Sequence, residues 1–159
     1  MSKLSELIDV ELESTRLKLI GQQNKLGLKA SGSYEKSLET YMNETDQNIR
    51  AGILGAAHAR YMEEGRAANK DKSRKSIAFI YVKLLEWMKV KGIKDINPWM
   101  AARKIVMEGI KVPNPHNKGG VISGVINEQW IDELNDKIFA VQNETFMDQV
   151  ISDLKSIAV

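Results

Sequence analysis

The sequence predicts an α+β fold: an N-terminal amphipathic helix, a small β-hairpin and several packed C-terminal helices. Three observations predict it. Apolar residues recur at i, i+3 and i+4 in four segments, near 3–27, 76–91, 97–109 and 127–157. Residues 34–55 instead alternate with period two around a turn-like Asn43-Glu44-Thr45-Asp46-Gln47. The length of 159 residues, with 43% hydrophobic and 28% charged side chains, suits one domain able to bury its own core.

In the first segment Leu4, Leu7, Ile8, Leu12, Leu19 and Ile20 form one broad stripe, and Gly27 is its stop signal. Ala30-Ser31-Gly32-Ser33 breaks the pattern as a loop. Tyr34, Leu38, Thr40 and Met42 then share one strand face, although Lys36 interrupts it and a short helix at the start fits as well. Residues 48–55 alternate better, with Ile49, Ala51 and Ile53 on one side. A lone hairpin is marginal in water, so this one is expected to lie on a helix or to pair with another chain.

Residues 65–75 are small, polar and basic, and read as an exposed loop. From about Ser76 to Lys91, Ile77, Ile80, Tyr81, Leu84 and Met88 fall on one helix face. Phe79, Val82 and Trp87 widen it, which predicts a helix central to the core. Gly92 is a suitable C′ residue. Asn97-Pro98 opens the next helix as cap and first turn, and Gly109 closes it. Residues 114–124 read as loop. Asn127 caps a final helical region, either one long helix or two broken near Asn143.

There is no cysteine, which excludes disulfides, thiolate metal sites and cysteine nucleophiles. The N-terminal residues lack the apolar core of a secretory signal, so synthesis in a cytoplasm is expected. No run approaches the roughly 18 apolar residues of a spanning helix, so no membrane partner is expected. The net charge of +2 hides a strong asymmetry. Residues 1–65 carry −2, residues 66–111 carry +8, residues 112–126 carry +1 and residues 127–159 carry −5. A basic middle and an acidic end suit two different partners, each other between identical subunits, or mutual screening within one chain.

Chemistry-bearing motifs are sparse. His58 and His116 have no partner histidine at helical spacing, so no metal is expected. Neither Gly65-Arg66 nor Gly119-Gly120 continues into a phosphate-binding loop, and no cofactor is expected. The adjacent Glu63-Glu64 reads as charged surface rather than a catalytic pair. The chain therefore reads as a non-enzyme. Its basic stretch, with Arg66, Lys70, Lys72, Arg74 and Lys75, has the composition of a phosphate-contacting loop, a contact for an acidic neighbour, or a solvated loop.

One ordered series of short motifs goes further. It runs through Ala30-Ser31-Gly32, Ser37-Leu38, Ile49 to Gly55, and Tyr61-Met62-Glu63-Glu64-Gly65-Arg66. It continues through the helix containing Trp87 to Lys91-Gly92-Ile93. It ends with Ala101-Ala102-Arg103-Lys104-Ile105 leading to Glu108-Gly109-Ile110. This series, covering roughly residues 3–110, resembles the head–tail joining and tail-completion family of tailed bacteriophages. The prolines usual after the Gly-Arg step are replaced here by Ala67, Ala68 and Asn69. The resemblance makes residues 3–110 the family-like core of a single domain spanning 1–159. Residues 111–159 are then a loop and an acidic helical extension.

The resemblance implies a structural virion protein, a ring at the neck between portal and tail with DNA passing through its lumen. Its implied partners are copies of itself, portal or adaptor proteins, tail proteins and packaged DNA. The implied interface or channel residues are Glu64, Gly65, Arg66, Lys70, Lys72, Arg74 and Lys75. The alternative is a small DNA-binding or regulatory protein using the 66–75 loop.

Overall fold

The computed structural model describes residues 2–46 and 48–157. Gln47, which the sequence places in the hairpin turn, lies outside the described residues. The chain is α+β, with six helices and two small two-stranded sheets among the described residues.

Helix α1 spans Lys3–Lys25. The Ser2 hydroxyl accepts the Ser5 N–H as its cap. The expected apolar stripe is only partly the buried one. Leu12 and Leu19 are buried, but so are Ser5, Thr15 and Gln23 on the same helix. Ser5 and Thr15 are satisfied by hydrogen bonds, Ser5 meeting the Ser2 hydroxyl at 2.7 Å. Thr15 donates to the Glu11 carbonyl at 2.7 Å and accepts from the Trp130 indole at 3.0 Å.

The stretch from Tyr34 takes the second of its two readings, a short helix ahead of the strand. Ser33–Ser37 form a single helical turn, α2, and the strand begins only at Glu39. Lys36, which interrupts the strand pattern, belongs to that turn. The Ser37 hydroxyl locks it by donating to the Tyr34 carbonyl at 2.7 Å and accepting the Ala56 N–H at 3.0 Å. Strands β1 (Glu39–Glu44) and β2 (Ile49–Leu54) form the expected antiparallel hairpin, with Glu39 opposite Leu54 and Glu44 opposite Ile49. The hairpin lies on α1.

Next come α3 (His58–Glu64), the two-residue strand β3 (Gly65–Arg66), α4 (Arg74–Lys91), α5 (Pro98–Glu108), β4 (Ile110–Lys111) and α6 (Glu128–Ile157). The Asn97 side chain accepts the N–H groups of Trp99 and Met100, as its position before Pro98 predicts. Helix α6 is one unbroken element of 30 residues, about 45 Å long.

Two separate cores hold these elements. The first joins Leu19 of α1, Tyr34 of α2, Leu38 and Val121, with Ile53, Met62 and Val125 around them. The second joins Ile77 of α4 to Ala102 and Val106 of α5. Tyr81 and Trp99 meet edge-on there at 5.5 Å. This corrects the expectation for α4. Ile77 and Met88 are buried, but Phe79, Val82 and Trp87 are exposed, Phe79 at 66%. Helix α4 packs through one face only, because a single short helix, α5, covers it.

Candidate functional site

The resemblance directs attention to Glu64-Gly65-Arg66, and the structure makes this a backbone joint. Strand β3 pairs antiparallel with β4, Gly65 opposite Lys111 and Arg66 opposite Ile110. Helix α3 ends at Gly65 with φ 79° and ψ −164°, and α5 ends at Gly109 with φ 80° and ψ −162°. This region of backbone space is essentially closed to residues with a Cβ. A Cβ on Gly65 would lie 2.1 Å from the Ile110 carbonyl oxygen, and one on Gly109 would lie 2.2 Å from that of Arg66. The two Glu-Gly steps are thus the two halves of one ladder. It fastens the second core to the first, reinforced by the Asn69 N–H donating to the Val106 carbonyl at 2.9 Å.

The expectation of an exposed loop over residues 65–75 is corrected accordingly. Gly65 is buried in β3, Arg66 is half-buried and donates to the Asn69 side-chain oxygen, and Arg74 and Lys75 form the first turn of α4. Glu64 is exposed and pairs with Arg60 at 2.7 Å. Lys70 and Lys72 lie on the exposed connection. Among the described residues, Lys70, Lys72, Arg74 and Lys75 make no ion pair. Arg74 instead sits 6.0 Å over the Trp99 ring.

The lone acid of that stretch, Asp71, has a structural task. Its carboxylate accepts from the Ser73 N–H at 2.9 Å, the Ser73 hydroxyl at 2.8 Å and the Ser76 hydroxyl at 2.6 Å. The Ser76 hydrogen bond first, then those of Ser73, hold it below its ordinary pKa. Ser73 in turn caps α4. Two cations in the first turn oppose the helix dipole, at about 0.3–1 kcal/mol each.

Glu63, which the sequence places on a charged surface, is an anchor. Its carboxylate accepts from the Ile122 N–H at 2.9 Å, the Ser123 N–H at 3.3 Å and the Ser123 hydroxyl. Partial burial pushes this carboxyl upward, but the hydrogen bonds from Ile122 and Ser123 outweigh it and leave it below the ordinary value of 4.5. Burial, and then the Glu63 charge, push the Tyr34 phenol upward. No spacing rule in the sequence connects residue 63 to residue 122.

Between the two cores lies a cleft of about 650 Å³. Its walls come from the end of α1, α2, α3, α4 and α5, and include Tyr34, Met62, Leu84, Trp87, Met88 and Ile105. The charged side chains lining it, Arg66 and Lys83, are both cationic; His58 and His116 line it too, and no carboxylate does. Gln23, only 3% exposed, lines it as well, and its amide oxygen has no hydrogen-bond partner. The sequence gives no sign of this cleft, since its residues are spread from 23 to 117.

Helix α6 runs antiparallel along α1. Trp130 meets Thr15, Lys137 pairs with Glu11 at 2.6 Å, and Lys3 pairs with Glu144 at 3.0 Å and Asp148 at 3.5 Å. Lys3 begins α1, so residues 149–157 project past it by about 14 Å. Trp130, Leu134, Ile138 and Val141 are the half-covered positions of the first part. Phe139, Phe146, Val150 and Ile157 lie roughly half a turn round the helix from that line. Phe146 is 65% exposed and Ile157 is 79% exposed.

No group of three or more potential metal ligands converges among the described residues, and no described helix is long and apolar enough to cross a membrane. No protein-family model, curated protein or solved structure matches the chain.

Proposed function

We propose that this protein is a non-enzymatic subunit of a closed ring in the neck of a tailed bacteriophage virion, joining head to tail. The observation that carries the assembly part of this reading is surface area. The chain exposes 11482 Å². A folded monomer of 17.9 kDa is expected to expose about 8,000 Å². A chain with so large an excess, and with exposed Phe79, Val82, Val90, Phe139 and Phe146, has apolar surface suited to burial by neighbours.

Charge and placement favour a head-to-tail contact. Helix α6 carries its acids along its length, from Glu128 to Asp153, and projects beyond the N-terminus of α1. The basic α4–α5 unit joins at the other end, about 35 Å away, where the Lys91 ammonium donates to the Gly27 and Lys29 carbonyls. Complementary patches at opposite ends of one subunit generate a ring when the rotation closes. The neck position rests on the ordered motifs shared with the joining and tail-completion family. The unpaired Lys70, Lys72, Arg74 and Lys75 suit a lumen through which DNA passes.

The test is immunolabelling of tailed particles purified from the source that encodes the chain, together with native mass spectrometry of the purified protein. Label at the head–tail junction and a closed oligomer are expected. Absence from intact particles overturns the neck assignment, and a strict monomer in every condition overturns the ring.

A further inference from the structure

We infer that the cleft between the two cores is a socket for the projecting end of α6 from a neighbouring copy. This rests on the ring reading and names the contact that would build it. Three features of the cleft fit that occupant. Its floor is apolar, and the end of α6 carries an unpartnered apolar line ending in Leu154 and Ile157. Its charged lining groups, Arg66 and Lys83, are cationic, and the charged residue beside that line in the projecting segment is Asp153, with Lys155 on the far side of the helix. Its volume of about 650 Å³ equals about 8 Å of a helix 10 Å wide, or one and a half turns. The projecting segment is longer than that, about 14 Å, so it reaches in without unpacking α6 from α1. The chain's own α6 ends at the opposite extremity of α1, so the occupant comes from another copy.

The protein has no cysteine, so single introduced thiols report contacts cleanly. Ser31→Cys stands on the cleft rim and Ser156→Cys stands beside Ile157, both at exposed positions. The two variants are mixed at the highest soluble concentration and oxidised. The expected product is a disulfide dimer formed only in the mixture, and lost when Leu154→Asp is added to the Ser156→Cys chain. A dimer of Ser156→Cys with itself overturns the inference in favour of paired α6 helices. The absence of any cross-link overturns it outright, as does a small molecule retained in the cleft in native mass spectra without a cross-link. Light scattering on the same samples separates this from the ring reading: an oligomer with no cross-link leaves the ring standing and removes this contact from it.

Discussion

Replacing Gly65 by alanine tests whether the Glu-Gly-Arg step is a joint or a surface motif. At φ 79° and ψ −164° an alanine is strained by about 1–3 kcal/mol. Its Cβ would stand 2.1 Å from the Ile110 carbonyl oxygen, where ordinary contact begins at 3.4 Å. One strand must therefore move by more than an ångström. A two-residue ladder cannot do so and keep its hydrogen bonds, each worth about 1 kcal/mol net. The sum is about 3–5 kcal/mol, a large part of the roughly 5–15 kcal/mol that holds a domain together. Gly92→Ala is the internal control. It also has a positive φ, 68°, but nothing lies within 4 Å of its Cβ. Its cost is the left-handed backbone alone, about 1–2 kcal/mol. Urea unfolding followed by circular dichroism compares the two. A Gly65→Ala variant no less stable than Gly92→Ala would refute the joint.

Two further outcomes follow from the same contacts. The Glu63 carboxyl is depressed in the folded state, so its contribution is fully present above about pH 4.5 and is lost as the pH falls through the folded value. Glu63→Gln is expected to lower stability at neutral pH by about 1–2 kcal/mol, a fall in Tm of roughly 2–8 °C. It is also expected to flatten the loss below pH 4.5. An unchanged acid limb in a thermal scan would show that Glu63 does not anchor residues 122–123. Converting Lys70, Lys72 and Lys75 to glutamine removes three cations that hold no ion pair, so stability stays within about 0.5 kcal/mol of the parent in urea unfolding. If these side chains face DNA, the salt slope of duplex binding falls by about three. A parent protein that binds no duplex at low salt rules out that orientation.

Local chemistry was legible in the sequence, and long-range pairing was not. Asn97-Pro98, Gly92 and Asn127 act where capping rules put them, because a cap depends on a few adjacent backbone groups. The hairpin follows from its alternation. Residues 56–64 escaped because short helices are fixed by tertiary partners such as Met62 in the first core, not by their own periodicity. The apolar width of α4 misled for a physical reason. Periodicity counts apolar side chains but not how many neighbours exist to cover them, and α5 covers one face only. The joint escaped because Glu64-Gly65 and Glu108-Gly109 are 44 residues apart, and neither step shows that the other is its pair.

That joint bears on how a ring of such subunits could close. In a head-to-tail assembly every copy contributes the same rotation, so a small error in one subunit's shape recurs at each contact. The subunit proposed here meets one neighbour through α6, held on the first core, and the other through a cleft whose far wall is the second core. The angle between the two cores therefore sets the angle between neighbours. A flexible polar linker would leave that angle free. Two facing strands, each entered through a glycine whose Cβ would strike the opposite backbone, leave little freedom. On this reading the alanine substitution at Gly65 has a second expected effect. Whatever fraction of the variant remains folded should form oligomers of mixed size by native mass spectrometry, where the parent forms one. A variant that is destabilised yet assembles to a single parental size would show that the joint supports the fold without setting the ring.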